Sequence, residues 1–243
     1  MRMFAQSKPS LLKWLIATAT ACSIVLGGSA PCGAIETMEL WPCDHEPLDN
    51  INYRERLFGV LFPEGMKASS LRVVVTPAFD PEWAIVVDCE HDQGPRVEHH
   101  VADESVWFAN WVATPGEEYR RAKRWSESPI VVASATRSRP IKAGTCRALQ
   151  ELWPAVLRDP HGWWNGGGVD GTTYIFLSGV GAEETCGEIW SPYVKWVFLH
   201  GLVTFVEEIR GFVDCGQSCD SATLEETLVR HARELVVYRT TPK

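Results

Sequence analysis

Positive charge is in short supply. Lys and Arg number 23 against 31 Asp and Glu, a formal charge of −8 over 243 residues, whereas a protein that neutralises phosphates needs a surface rich in Lys and Arg. Nucleic acid and anionic lipid are thereby excluded as principal partners. The local cluster of Arg120, Arg121, Lys123 and Arg124 with Arg137, Arg139 and Lys142 reads as a solvated face. Apolar runs are also short, and none reaches the roughly 20 residues that a helix needs to cross a bilayer. No internal repeat and no low-complexity linker divides the chain, which excludes a solenoid and leaves one domain as the simplest organisation.

Catalytic signatures are missing as well. Beyond residue 34 there is no Gly-x-Ser-x-Gly elbow, no Ser-x-x-Lys and no His-Glu-x-x-His, the patterns that place an activated serine or a zinc ion. Gly166, Gly167, Gly168 and Gly171 stand before a predicted strand with no lysine after them. They therefore form neither a Walker A loop nor a dinucleotide fingerprint, whose glycines follow a strand and open a helix. No cofactor and no metal is expected.

What is present begins with an address. Met1 to Lys13 carries Arg2, Lys8 and Lys13 and no acid, and Trp14 to Leu26 runs apolar or small without a charge. These are the n- and h-regions of a secretory signal peptide, broken by Gly27, Gly28, Ser29 and Pro31. Cleavage after Ala34 is favoured, because Cys32-Gly33-Ala34 sets small residues at the last and third-last positions, whereas Pro31 after Ser29-Ala30 resists the peptidase. Lipidation at Cys22 is disfavoured, since Ala19-Thr20-Ala21 lacks the large aliphatic residue expected three places earlier. The reading is a signal peptide over 1–34 and a single domain over 35–243, periplasmic or secreted, with no membrane span after cleavage. Removing the leader takes away three cations and no acid, so the mature chain is more acidic still.

Cysteine usage agrees with export. Six cysteines remain after Ala34, at positions 43, 89, 146, 186, 215 and 219, an even number suited to an oxidising compartment. Only Cys215 and Cys219 are near enough to pair on spacing alone. The pairing of Cys43, Cys89, Cys146 and Cys186 stays open. A Cys-x-x-Cys redox motif is not formed, and no second cysteine pair follows to complete a zinc site.

The first half of the body reads as antiparallel strands. Leu71 to Thr76 and Ala84 to Cys89 flank a Pro-bounded turn, Arg96 to Val101 puts Val97, His99 and Val101 on one face, Val106 to Trp111 extends the meander, and Ile130 to Thr136 adds a strand. A second strand pair covers Thr172 to Ser178 and Thr185 to Trp190. Helical periodicity marks 145–157, 194–213 and 221–237. Pro154 is expected to kink or restart the first of these. The last has Asp220-Ser221 as N-cap, a capping box from Thr223 to Glu226 and an i,i+4 pair from Glu226 to Arg230. The fold class is α+β, with an antiparallel sheet covered by two or three helices and stapled by disulfides.

Several side chains stand out as candidates for chemistry. Asp88 to Asp92 and Glu98-His99-His100 face each other across a predicted hairpin, so that His91 and one of the later group would be close enough to share an ion. Wet hairpin ends collect the same letters, and a solvated turn is the stronger reading. Asp170 and Glu188, on neighbouring predicted strands, are a candidate carboxylate pair of the kind that cleaves glycosides. Trp163 and Trp164 beside Asn165 offer large apolar faces with polar handles, suited to a ligand or a protein partner.

Asp170-Gly171-Thr172-Thr173-Tyr174-Ile175-Phe176, then Gly187 to Pro192 and an apolar helix, resemble a recurring group of exported bacterial proteins. The likeness extends to Val75-Thr76-Pro77-Ala78-Phe79-Asp80-Pro81-Glu82 and Ser105-Val106-Trp107, and so touches most of residues 70–213. It implies a fold and no activity. The cysteine load is where this chain departs from the group.

Two functions are carried forward. One is a non-enzymatic binding protein of inhibitor or immunity type, whose acidity steers it towards a basic protein partner. The other is a hydrolase of envelope polysaccharide or peptide, using Asp170, Glu188, His99 or His100 as acids and bases. Whether the chain is an enzyme is left open here, with the absent motifs leaning against it. N-terminal sequencing of the exported protein is expected to begin at Ile35, and a start at Cys22 would identify a lipoprotein instead.

Overall fold

Five consecutive buried residues, Leu71 to Val75, cannot belong to a strand with a wet face. A strand excluded from water at every position needs cover on both sides. The computed structural model describes residues 41–42, 53–63, 69–113, 123–125, 131–158, 171–179, 184–191, 197–216 and 219–241, all within the compact unit Met38–Lys243. The elements in chain order are β1 (Trp41–Pro42), α1 (Tyr53–Leu61), β2 (Leu71–Pro77), β3 (Trp83–Asp88), β4 (Arg96–Ala102), α2 (Val106–Ala109), β5 (Trp111–Ala113), β6 (Lys123–Trp125), β7 (Ser134–Pro140), α3 (Ala143–Leu157), β8 (Thr172–Ser178), β9 (Thr185–Ser191), α4 (Val197–Asp214) and α5 (Ser221–Thr240).

Seven strands form one sheet in the order β1-β9-β8-β2-β3-β4-β7, every neighbouring pair antiparallel. The expected α+β class and antiparallel sheet are therefore present. Strand alternation divides the sheet into two cores. Val73, Val75, Ile85, Val97 and Phe176 pack on one face under α3, α4 and α5. Val74, Ala84, Val86 and Leu177 pack on the other, against Leu57, Leu61 and Phe62 at α1 and Val106 of α2. Helices thus cover both faces, one more than the sequence patterns indicated. Helix α1 went unread because Leu57, Phe58, Val60 and Leu61 crowd into a short apolar stretch that also suits a strand.

Three other expectations need correction. Val106 to Trp111 is not one strand of the meander: Ser105 caps the helical turn α2, and Trp111 starts β5, which pairs with β6 in a separate two-stranded sheet. The strand placed at 130–136 lies instead at Ser134–Pro140, an edge strand with mostly exposed side chains. Its position is set by pairing with β4, Thr136 opposite His100, rather than by apolar pattern. Helix α3 does not restart at Pro154 but runs unbroken through it. Pro154 points to solvent, where the carbonyl it leaves unbonded is free to be hydrated.

Helices α3 and α5 are fastened to each other at both ends. Helix α3 opens on Lys142, which offers no side-chain cap, and the carboxylate is supplied from α5. Glu225, 7% exposed, accepts from the Lys142 N–H at 2.5 Å and from the Thr145 hydroxyl at 2.6 Å. At the other end the Arg239 guanidinium donates to the Ala155 and Arg158 carbonyls. Helices α3 and α5 therefore run parallel, with an acid at the positive end of the α3 dipole and a cation at the negative end. Asp220 caps α5 as read from sequence, through the Thr223 N–H and hydroxyl. That places Thr223 inside the helix rather than at the head of a capping box, and Arg230 pairs with Glu234 instead of Glu226.

Disulfides tie these layers together. Cys215–Cys219 bridges the end of α4 to the approach to α5, as the spacing suggested. Cys89–Cys146 joins the end of β3 to the first turn of α3, Cα atoms 5.8 Å apart and 57 residues apart in sequence. Closing a loop of that length removes about 4 kcal/mol of unfolded-state entropy in the chain-entropy account. Cys186 is also disulfide-bonded, and Cys43 lies outside the described residues. No helix among the described residues is long and apolar enough to cross a membrane.

The inter-helix cap makes a direct test. Glu225→Ala leaves a backbone N–H and a hydroxyl without their acceptor, and urea unfolding of the oxidised protein is expected to show a loss of about 1–3 kcal/mol. Glu225→Gln keeps an acceptor and should lose less. Equal losses would mean that packing, not the cap, carries the contribution.

Candidate functional site

His99 is the most chemically distinctive of the sequence-derived candidates. Alternation along β4 turns it into the core beneath α4, where it is 4% exposed. Its Nδ1 lies 2.8 Å from Asp214 Oδ1 at the end of α4, and Arg137 on β7 donates to the same oxygen at 3.0 Å. An ionised carboxylate accepts only, so Nδ1 carries the proton and the Nε2 lone pair is left over. Nε2 is buried and has no hydrogen-bond partner among the described residues.

Aromatic and cationic neighbours complete the setting. The Trp83 ring meets the imidazole edge-on at 5.4 Å, and Arg210 lies over Trp83 at 4.8 Å. Arg210 pairs with Glu207 at 2.8 Å, and Glu207 accepts from the Tyr174 hydroxyl at 3.0 Å. Burial, reinforced by the charge on Glu207 and the bond to it, holds the Tyr174 phenol above its usual range.

Burial is also the leading influence on His99. It pushes the imidazole below its ordinary pKa, outweighing the attraction of Asp214, and Arg210 and Arg137 push the same way. For Asp214, burial works upward, but the hydrogen bonds and charges of His99 and Arg137 hold the carboxyl below the usual range. The arrangement is a carboxylate-oriented histidine, a form used for proton transfer. Here Nε2 faces the interior, and the bond from Nδ1 to Asp214 holds β4 to α4.

The other described candidates do not join it. His100 points to the opposite face of β4, where Thr136 Oγ1 lies 3.0 Å from Nδ1 and Glu98 Oε2 lies 3.2 Å from Nε2. The bond to His100 leads in keeping the Glu98 carboxyl below its ordinary range. Glu188 sits on β9 opposite Ile175, four strand positions from β4, on the order of 19 Å at about 4.8 Å per strand. His91 lies in the β3–β4 turn and accepts from the Gln93 N–H at 3.1 Å. Among the described residues no group of His, Cys, Asp or Glu is placed to hold a metal ion. Asp170 and the Trp163, Trp164, Asn165 group lie outside the described residues.

Three members of the basic cluster are engaged by the fold. Arg137 pairs with Asp214, Arg139 donates to the Phe212 carbonyl, and Lys142 pairs with Glu225. Arg120 and Arg121 lie outside the described residues.

Two buried polar centres escaped the sequence reading. His231 of α5 binds Glu208 of α4 through Nδ1 at 2.7 Å, against Phe205 at 5.4 Å. Glu82, 1% exposed, gathers four donors: Tyr53 OH at 2.7 Å, Ser105 Oγ at 3.2 Å, and the N–H groups of Val106 at 2.7 Å and Trp107 at 3.1 Å. It is thus the anion at the head of α2, supplied from the residue just before β3. Burial first, and the charge and hydrogen bond of Glu82 next, raise the Tyr53 phenol well above its ordinary range. No local pattern signals Glu82, because its donors lie 23 to 29 residues away in sequence.

Comparison with known proteins adds no further constraint: no family model, no curated protein and no solved structure matches the chain.

The His99 centre predicts an acid-sensitive fold. The imidazole is harder to protonate folded than unfolded, so its contribution is complete above the unfolded value near 6.5 and is lost as pH falls; Asp214 adds a further loss below about 4. Unfolding free energy is expected to drop between pH 7 and 5. His99→Asn, which retains a donor to Asp214, should cost about 1–2 kcal/mol at pH 7 and flatten that slope. An unchanged slope would assign the sensitivity to other groups.

Proposed function

We propose that this chain is an exported, non-enzymatic binding protein of inhibitor or immunity type, acting on a basic protein partner. The observation that carries the reading is that the buried acids Glu82 and Glu225 and the buried histidines His99 and His231 are each engaged within the fold. Glu82 and Glu225 bind helix N-termini, while Asp214 and Glu208 hold His99 and His231. The described acid–base candidates stand on different faces and strands, so they supply no common centre at which a glycosidic or peptide bond would be polarised and attacked.

Other observations support the setting. Bonded Cys89–Cys146 and Cys215–Cys219 suit an oxidising compartment such as the periplasm or the extracellular space. An acidic surface speeds encounter with a basic target and weakens as salt rises. Trp163, Trp164 and Asn165 remain a proposed partner contact on the strength of their chemistry.

The test pairs two assays on the oxidised mature chain. Incubation with peptidoglycan, glycan and peptide panels is expected to give no turnover, while affinity capture from envelope and culture fractions retains a stoichiometric, salt-sensitive protein. Turnover abolished by alanine at Asp170, Glu188, His99 or His100 would overturn the reading and establish a hydrolase.

A further inference from the structure

Exposed apolar side chains are unevenly distributed. Among the described residues the large ones are Phe79, 68% exposed, Phe108, 44%, Val131, 92%, and Val237, 62%. The first three gather at one end of the sheet. Antiparallel register puts the end of β2, the start of β3, the end of β4 and the start of β7 together: Val75 faces Trp83, Trp83 faces Val101, and Ala102 faces Ser134. Phe79 is on the β2–β3 loop at that end, Phe108 is on α2 just after β4, and Val131 leads into β7, with the Asp103 N–H donating to the Ala133 carbonyl.

These residues are held, not merely left over. Phe79 stands between Pro77 and Pro81, in a loop pinned by the Ala78 N–H to the Gly171 carbonyl. Phe108 rides on α2, whose first N–H groups are gripped by Glu82. Glu82 also follows Pro81 directly and accepts from the Ala102 N–H through its own carbonyl. One buried carboxylate residue therefore locks the base of both loops. A rigid, exposed aromatic side chain is the form that binds at low ordering cost.

Charge selects the occupant. Asp80, Asp103 and Glu104 are exposed at the same end, and none of them forms an ion pair with a described residue. A second copy of this chain would bring two acidic rims together, and an anionic membrane would meet the same repulsion. We propose that this loop end is the docking surface for a protein whose contact face is basic around an apolar centre. Phe79 and Phe108 enter that centre while Asp80, Asp103 and Glu104 pair at the rim. This rests on the binding-protein reading and locates its interface.

The test uses the oxidised mature chain and the protein it retains from envelope and culture fractions, with affinity measured at low and high salt. Phe79→Ser/Phe108→Ser and Asp103→Lys/Glu104→Lys alter exposed side chains only, and Val237→Ser on α5 is the control. Each loop-end variant is expected to lose about tenfold or more in affinity, or about 1.4 kcal/mol, with the charge variant also losing salt dependence and V237S matching wild type. Unchanged affinity in F79S/F108S overturns the interface and leaves the binding reading standing. Retention of a second copy of the chain, or binding only to anionic vesicles, overturns the assignment of a basic protein. Retention of nothing overturns both.

Discussion

Because β2 lies mid-sheet with five successive side chains out of water, neither face of the sheet can stay bare, and most of the remaining structure follows from that. The Leu71-Arg-Val-Val-Val run fits only a strand sandwiched between helices. It draws β3 to one side and β8 to the other, and so binds the two halves of the chain into one sheet. Helices α3, α4 and α5 fill one side. Helix α1 and the turn α2 close the other.

Burying two faces forces polar groups inward, and each of the best-placed ones ends on a structural partner. A buried carboxylate is costly unless several donors converge on it. Glu82 and Glu225 meet that condition at helix N-termini, where unpaired N–H groups need an acceptor in any case. The same requirement gives His99, which stands out in the sequence, a partner within the fold. A histidine with its carboxylate is a proton-transfer unit when its second nitrogen faces a substrate; His99 has that nitrogen in the core, and it serves as a strut between β4 and α4.

Local order was legible wherever periodicity was strong. Val73 and Ile85 in the first hairpin, the Thr172 to Ser178 strand, the α4 and α5 stripes and the Asp220 cap each follow from neighbours within four residues. What depended on distant partners was not legible. Edge strand β7 takes its register from β4, and α2 owes its existence to Glu82 more than to its own four residues. Strand order was hidden for the same reason, since β2–β8 pairing spans about a hundred residues. Of the candidate site, His99 was readable as unusual, but Asp214 lies 115 residues further on. Only the fold places them together.

The parallel clasp of α3 by α5 also constrains when the molecule can finish folding. A chain made from its N-terminus has α3 long before Glu225 and Arg239 exist, and until α5 follows both ends of that helix lack these partners. The clasp is therefore among the later contacts to form, and a polypeptide halted between the two helices would carry an α3 with neither end satisfied.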